Sequence, residues 1–201
     1  MDRDASMGTA QLVTAAATRL FPGEVVSGDA WTVEQSNDRY RLTVIDGLGH
    51  GPEAAEAAAA AKRTLEALPD LEPAGALMAC HHAMGQTRGA ALLTLQIDLA
   101  ENCLTYAGVG NVEGRLCLPD RDQRLVSYRG IVGKMVNKVR AFTLELRDGW
   151  VLIVHSDGIS SRFDTPPLDD GNWQGLADRI LEGWARSTDD ATVVVVAPPP
   201  L

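Results

Sequence analysis

Cysteine is scarce in this chain: Cys80, Cys103 and Cys117 make an odd number, with no close pair among them. Such spacing supplies neither a zinc site nor a disulfide framework, so reduced, buried thiols are expected. Cys80 is followed by His81-His82-Ala83-Met84-Gly85-Gln86, and the missing arginine argues against cysteine-phosphatase chemistry. Positive charge is also in short supply. Lys and Arg number 18 against 27 Asp and Glu, a net charge of −9, and no basic stripe runs through the sequence. A nucleic-acid footprint built on phosphate contacts is therefore not expected, and an anionic lipid surface would repel the chain. Long apolar runs are absent too. Ala57–Ala61 is closely flanked by Glu56 and Lys62 and is far too short to span a bilayer. The opening MDRDASMGTA has no basic region leading into an apolar stretch, so no secretory signal is read and a cytoplasmic location is expected.

What is present is an ordinary globular composition, 45% hydrophobic and 22% charged over 201 residues. This fits one folded domain spanning residues 1–201, with no Ser/Gly-rich linker or repeat dividing it. Strand signals dominate both ends. Between them, two helices are predicted, Pro52 to about Leu68 and Pro73 to about Met84. In the first, Gly51-Pro52-Glu53 sets a proline in the opening turn and an acid against the helix dipole. Strands return as ALLTLQIDLAEN, CLTYAGVGNVEGRLCLPD, RLVSY, RAFTLEL and WVLIVHSDG, several of them read as hairpins. Arg147-Asp148-Gly149 is one such predicted joint, because Asp-Gly between two apolar runs is a strong tight-turn signal, and Asp148 is then structural. A late helix over Trp173–Trp184 precedes a final strand, DDATVVVVA. Antiparallel sheets with segregated helices imply an α+β layered sandwich.

Acids recur at the strand ends. Side chains alternate across a strand, which sets Asp29 with Trp31 and Val33, Asp46 with Leu42 and Val44, and Asp157 with Val151, Ile153 and His155. Each acid then ends an inward-facing row. In the last strand, parity does not choose between Asp189 and Asp190. Singly, each acid reads as a turn or strand-end cap. Gathered at the mouth of an apolar core, they would repel one another and suffer desolvation unless a cation compensated them. Hard divalent ions such as Mg²⁺ or Mn²⁺, which take oxygen ligands, answer that need, with Gly47 and Gly158 expected to let backbone approach them.

The motif set SGD (Ser27–Asp29), DGLGHG (Asp46–Gly51), RGAALLTLQID (Arg88–Asp98), AGVGN (Ala107–Asn111), SDGI (Ser156–Ile159) and DDATVVVV (Asp189–Val196) runs almost end to end. In order and spacing it resembles the PP2C-type, metal-dependent protein serine/threonine phosphatases, in their small bacterial branch with SpoIIE and RsbX. The resemblance implies a four-layer α-β-β-α sandwich of two antiparallel sheets flanked by helices, with two Mn²⁺ or Mg²⁺ ions at one edge. It implies that Asp46 bridges both metals and is the central catalytic residue. Asp157 and Asp189 would complete one ion's shell, while Asp29 and the carbonyl of Gly47 would hold the other. Because the first acid of the final motif is the ligand in related sequences, the resemblance favours Asp189 over Asp190. The implied activity is removal of phosphate from phosphoserine or phosphothreonine of a bacterial signalling regulator, with a STAS-type domain as the expected partner. A non-catalytic pseudophosphatase that masks a partner and a small-molecule phosphatase are the competing readings.

Weaker signals complete the sequence. Gly130-Ile131-Val132-Gly133-Lys134 imitates a phosphate loop, but its spacing is too short and Met135 replaces the required Ser or Thr. Lys134, Lys138 and Arg140 lie in an acid-free stretch, either a docking surface for a phosphorylated partner or a solvated loop. Arg88 reads as a phosphate neighbour or a strand cap. His50 and His155 read as packing residues because hard metals prefer oxygen, and adjacent His81 and His82 cannot share a helical face.

Overall fold

The structure, a computed structural model, describes residues 12–36, 38–164 and 171–199. Strand pairing divides the chain between two five-stranded antiparallel sheets. One contains β1 (Val13–Arg19), β12 (Ala191–Ala197), β11 (Val151–His155), β6 (Glu113–Leu118) and β7 (Arg121–Leu125), in that spatial order. The other contains β10 (Phe142–Glu145), β5 (Cys103–Val109), β4 (Ala90–Asp98), β3 (Arg39–Gly47) and β2 (Asp29–Ser36). A small hairpin joins β8 (Gly130–Ile131) to β9 (Met135–Val136) across the Gly130–Lys134 stretch.

Alternation of apolar residues builds the layers. Leu42, Val44, Leu93 and Leu95 of one sheet meet Leu116, Leu152, Val154, Val194 and Val196 of the other in the central core. The opposite faces of both sheets are also apolar and carry helices. Ile45, Leu92 and Val109 pack under α1 (Pro52–Ala67) and α2 (Pro73–Ala83), while Val151, Ile153, Val193 and Val195 pack under α3 (Trp173–Trp184). The result is the expected α-β-β-α sandwich. In α1, Ala54, Ala57, Ala58, Ala61 and Leu65 recur at helical spacing and are buried. Their small side chains bring the helix so close to β3 that a Cβ on Gly47 would meet the backbone carbonyl of Ala54.

Several strand expectations change. The run CLTYAGVGNVEGRLCLPD is two strands in different sheets, crossing at Gly110, whose φ of 104° favours glycine. Arg147-Asp148-Gly149 is likewise not a hairpin. Its turn is tight, with Trp150 N donating to Arg147 O at 3.1 Å, but β10 pairs with β5 and β11 pairs with β6 and β12. Asp-Gly specifies a local reversal and carries no information about which sheet receives the next strand. The strand expected at RLVSY is shifted to Arg121–Leu125. Cys80 and Cys117 are buried free thiols, whereas Cys103, near the start of β5, is only partly covered.

Candidate active site

Both sheets end at the same edge of the sandwich, and that is where the acids collect. Asp29 opens β2 and Asp46 lies next to the end of β3; the two stand directly opposite one another in the antiparallel register. From the other sheet, Asp157 follows β11 and Asp189 and Asp190 precede β12. Hydrogen bonds stitch the sheets together here. Ser156 Oγ donates to Asp29 Oδ2 at 2.6 Å, and Thr192 N donates to Ser156 Oγ at 3.0 Å. Asn111 Nδ2 donates to Asp157 Oδ2 at 2.5 Å.

Burial and mutual repulsion dominate the electrostatics. Burial first, then the charges of Asp29, Asp157, Asp189 and Asp190, pushes the Asp46 carboxyl up to about 9. Burial also raises Asp29 to about 7, with the hydrogen bonds from Ser156 and Thr192 opposing and Asp190 and Asp189 adding to the rise. Asp189 is raised as well, by burial and then by Asp157. Among the described residues none of these carboxylates forms a salt bridge with Lys or Arg. Nor, among the described residues, do three His, Cys, Asp or Glu side chains converge tightly enough to hold an ion as they stand. The donor set nonetheless suits a hard cation: carboxylate oxygens from four separate chain segments, partly or wholly withdrawn from water and, among the described residues, unpaired with Lys or Arg.

The adjacent acids Asp189 and Asp190 do different things. Asp190 is 2% exposed, and its two oxygens accept from Phe21 N and Gly28 N, each at 2.8 Å. It therefore ties the β1–β2 connection down beside Asp29. Asp189 is partly open to solvent and accepts its neighbour's N–H at 2.9 Å. Gly47 and Gly158 have a packing reason to be glycine that the sequence did not indicate. A Cβ at Gly158 would strike the carbonyl of Asp190, as one at Gly47 would strike that of Ala54, so the chain's own packing demands glycine. Asp157 also departs from its parity argument: β11 stops at His155, and the Val151–Ile153 row faces α3 and not the inter-sheet core. Asp157 reaches the edge from a turn.

The sequence profile of Stage II sporulation protein E (SpoIIE) matches residues 36–198. The chain belongs to the SpoIIE family. It is 28% identical over 139 residues to the phosphoserine phosphatase RsbX of Bacillus subtilis (strain 168), covering 69% of this chain and 70% of that one. A solved structure of RsbX in complex with magnesium superposes with a TM-score of 0.81 at 25% identity, over 94% of this chain and 96% of that one. A chain from work on the bacterial stressosome as a modular system adapted to control secondary messenger signalling superposes at 0.85 with 28% identity, over 93% of this chain and 100% of that one. With the SpoIIE-family match and its phosphoserine phosphatase relative, the chain is a protein serine/threonine phosphatase.

Other residues at this edge of the SpoIIE-family domain have structural partners. His50 stacks on Phe21 with ring centroids 3.9 Å apart, and its Nδ1 lies 2.7 Å from Glu24 Oε1. That contact clasps the β1–β2 connection to the glycine-rich loop, as does Gly47 N donating to Gly28 O at 2.9 Å. His155 is buried, against Ser156 O and the Phe163 ring, and burial lowers its pKa. Arg88 pairs with Glu53 in the first turn of α1. Sequence reasoning assigned no role to Ser156 or Asn111. Each is a polar residue within or beside a quoted motif, one position before an acid or at the end of AGVGN, and that was the available signal.

Proposed function

We propose that the acid edge is a two-metal phosphatase centre that removes phosphate from phosphoserine or phosphothreonine of a signalling protein. The observation that carries this reading is the facing pair Asp29 and Asp46, raised to about 7 and about 9 and, among the described residues, forming no salt bridge with Lys or Arg. Asp46 would contact both ions, Asp29 and the Gly47 carbonyl would hold one, and Asp157 and Asp189 the other. Magnesium in the related RsbX structure supports a divalent ion. Bound there, two such ions supply Lewis-acid activation of water and neutralise charge around phosphorus. The chain's own contribution is to hold the donors in place. Ser156 fixes the rotamer of Asp29, Asn111 that of Asp157, and Asp190 anchors the segment leading into Asp29.

The same reading names a partner class: a small phosphorylated regulatory domain, of STAS type by analogy with the relatives. The Lys134 segment supports docking there, because Val132 bridges Ala90, which pairs with Gly47, so the β8–β9 hairpin borders the acid edge. Lys134 Nζ donates to Gly85 O at 3.1 Å, while Lys138 lies over Tyr128 and Arg140 over Phe142. Such charge speeds encounter and selects partners, with an effect that weakens as salt rises. The test is phosphate release from candidate phosphoproteins with Mn²⁺, compared with chelator and with the triple reversal Lys134→Glu, Lys138→Glu, Arg140→Glu. The expected result is metal-dependent release, with protein turnover slowed by the reversal and aryl phosphate turnover unchanged. Partner binding without phosphate release under every metal condition would leave a masking protein instead.

A further inference from the structure

β2 is an edge strand. It pairs with β3 on one side, and among the described residues no strand pairs with its other side. That free side opens into a groove of about 480 Å³ lined by six consecutive residues, Asp29 to Glu34, with Thr18 of β1 and Lys62 and Glu66 of α1 on its rim. Consecutive residues of both parities line a groove only where the strand presents its backbone edge to it. The middle of the edge is uncharged over Ala30, Trp31, Thr32 and Val33, with charge confined to Asp29 and Glu34 at its ends and to Lys62 and Glu66 of α1, whereas edge strand β7 reads Arg-Asp-Gln-Arg-Leu and edge strand β10 has four residues. Thr32 adds a second, independent sign. It is 5% exposed, and among the described residues its hydroxyl has no hydrogen-bond partner. A buried hydroxyl without a partner costs free energy until something supplies one.

We propose that this edge of β2 docks an extended polypeptide segment of the phosphorylated partner, added as a further strand with the phosphorylated residue at the Asp29 end. The groove begins at an acid of the candidate centre, so a peptide laid along it carries one terminus to that centre without a turn. Six residues at about 3.3 Å each give a track of about 20 Å, enough to hold a segment of similar length. Main-chain hydrogen bonds give such a mode affinity with little sequence demand, and side-chain pockets on alternate positions give it preference. Thr32 supplies one polar contact inside the track, and Trp31 and Val33 supply an apolar face. This mode rests on the phosphatase reading of the acid edge and adds how the substrate chain is held.

The experiment uses the full chain with Mn²⁺ and synthetic phosphoserine peptides of Ala and Thr. A tripeptide is compared with nonapeptides that carry phosphoserine at one terminus or the other. One nonapeptide should exceed the tripeptide in kcat/KM by at least tenfold. N-methylation of alternate amides in one register should erase that gain, and in the other register should leave it. Thr32→Val should lower kcat/KM for the favoured nonapeptide about fivefold, the equivalent of one neutral hydrogen bond, and leave the tripeptide unchanged. Equal turnover of all peptides, N-methylated ones included, would overturn the proposal while leaving the phosphatase intact. A concentration-dependent dimer abolished by Val33→Lys, with no dependence on peptide length, would overturn it in favour of a second copy in the groove. No hydrolysis of tripeptide, nonapeptides or aryl phosphate would remove the phosphatase reading itself, and the docking mode with it.

Discussion

The two ends of the β2–β3 pair use charge in opposite ways. At the far end, Glu34 stands opposite Arg41 and Asp98 opposite Arg39, each acid facing a guanidinium in register. Arg41 is buried and also donates to Leu65 O and Leu68 O at 2.6 Å each, closing the C-terminus of α1. The N–H of Glu101 and the nearby Arg39 hold Asp98 below the usual carboxylate range, against its desolvation. At the near end, the residues directly opposite are Asp29 and Asp46, and both are driven upward. Like charges facing across a ladder are destabilising. The same pair of strands matches its charges at one end and, at the other, sets two carboxyls face to face where the proposed metal centre would use them.

The comparison can be broken from either end. At the near end, Asp46→Asn should reduce turnover by more than the about 10–100-fold typical of outer-shell changes, measured by phosphate release. The same substitution should raise the melting temperature of chelated protein, since about 1 kcal/mol of relieved repulsion corresponds to about 2–4 °C in a domain of this size. At the far end, Arg41→Met strands the carboxylate of Glu34 and two helix carbonyls. It should cost about 3 kcal/mol in denaturant unfolding while activity per folded molecule is retained. A loss of activity with unchanged stability there would erase the distinction between the ends.

A pH series sharpens the contrast. Asp29 and Asp46 have raised pKa values when folded, so the native state binds more protons than the unfolded state above about pH 4. Their contribution to the stability of chelated protein is present at low pH and is lost as pH rises through about 7 and then about 9. Melting temperature should therefore fall between about pH 5 and pH 9 in chelator, and Asp46→Asn should flatten the upper part of that fall. Asp98, lowered when folded, works the other way and loses its contribution only under strong acid. The smallest effect separates two neighbours. Asp189→Ala should weaken Mn²⁺ binding in calorimetry more than Asp190→Asn, which replaces one of two N–H acceptors by an amide N–H₂ and loosens the segment before Asp29. The reverse order would move the ligand role to Asp190.

Much of this was legible in the sequence because it is local. Alanines at helical spacing after Gly51-Pro52 define α1, and Asp46 and Asp29 sit on strands whose alternation fixes their faces. Sheet membership was not legible. Gly110 and the Arg147–Gly149 turn each carry the chain from one sheet to the other, and a turn signal records only that the chain reverses. Asp157 escaped its parity argument because alternation ends with the strand, two residues earlier. The division of labour between Asp189 and Asp190 was suggested by family pattern alone. Its physical basis, two backbone N–H groups more than 160 residues away in sequence, is a tertiary contact without local signature.

The central claim is that the acid edge, where among the described residues no carboxylate pairs with Lys or Arg, takes its counter-charge from divalent ions. Thermal melting at pH 8 with and without Mn²⁺, on the wild-type chain and on Asp46→Asn, tests it most directly. The account predicts a rise of several degrees on adding Mn²⁺ to the wild type, and little or none in Asp46→Asn, because ligand binding to the native state alone stabilises by mass action. A wild-type melting temperature indifferent to Mn²⁺, or an equal rise in both proteins, would contradict it.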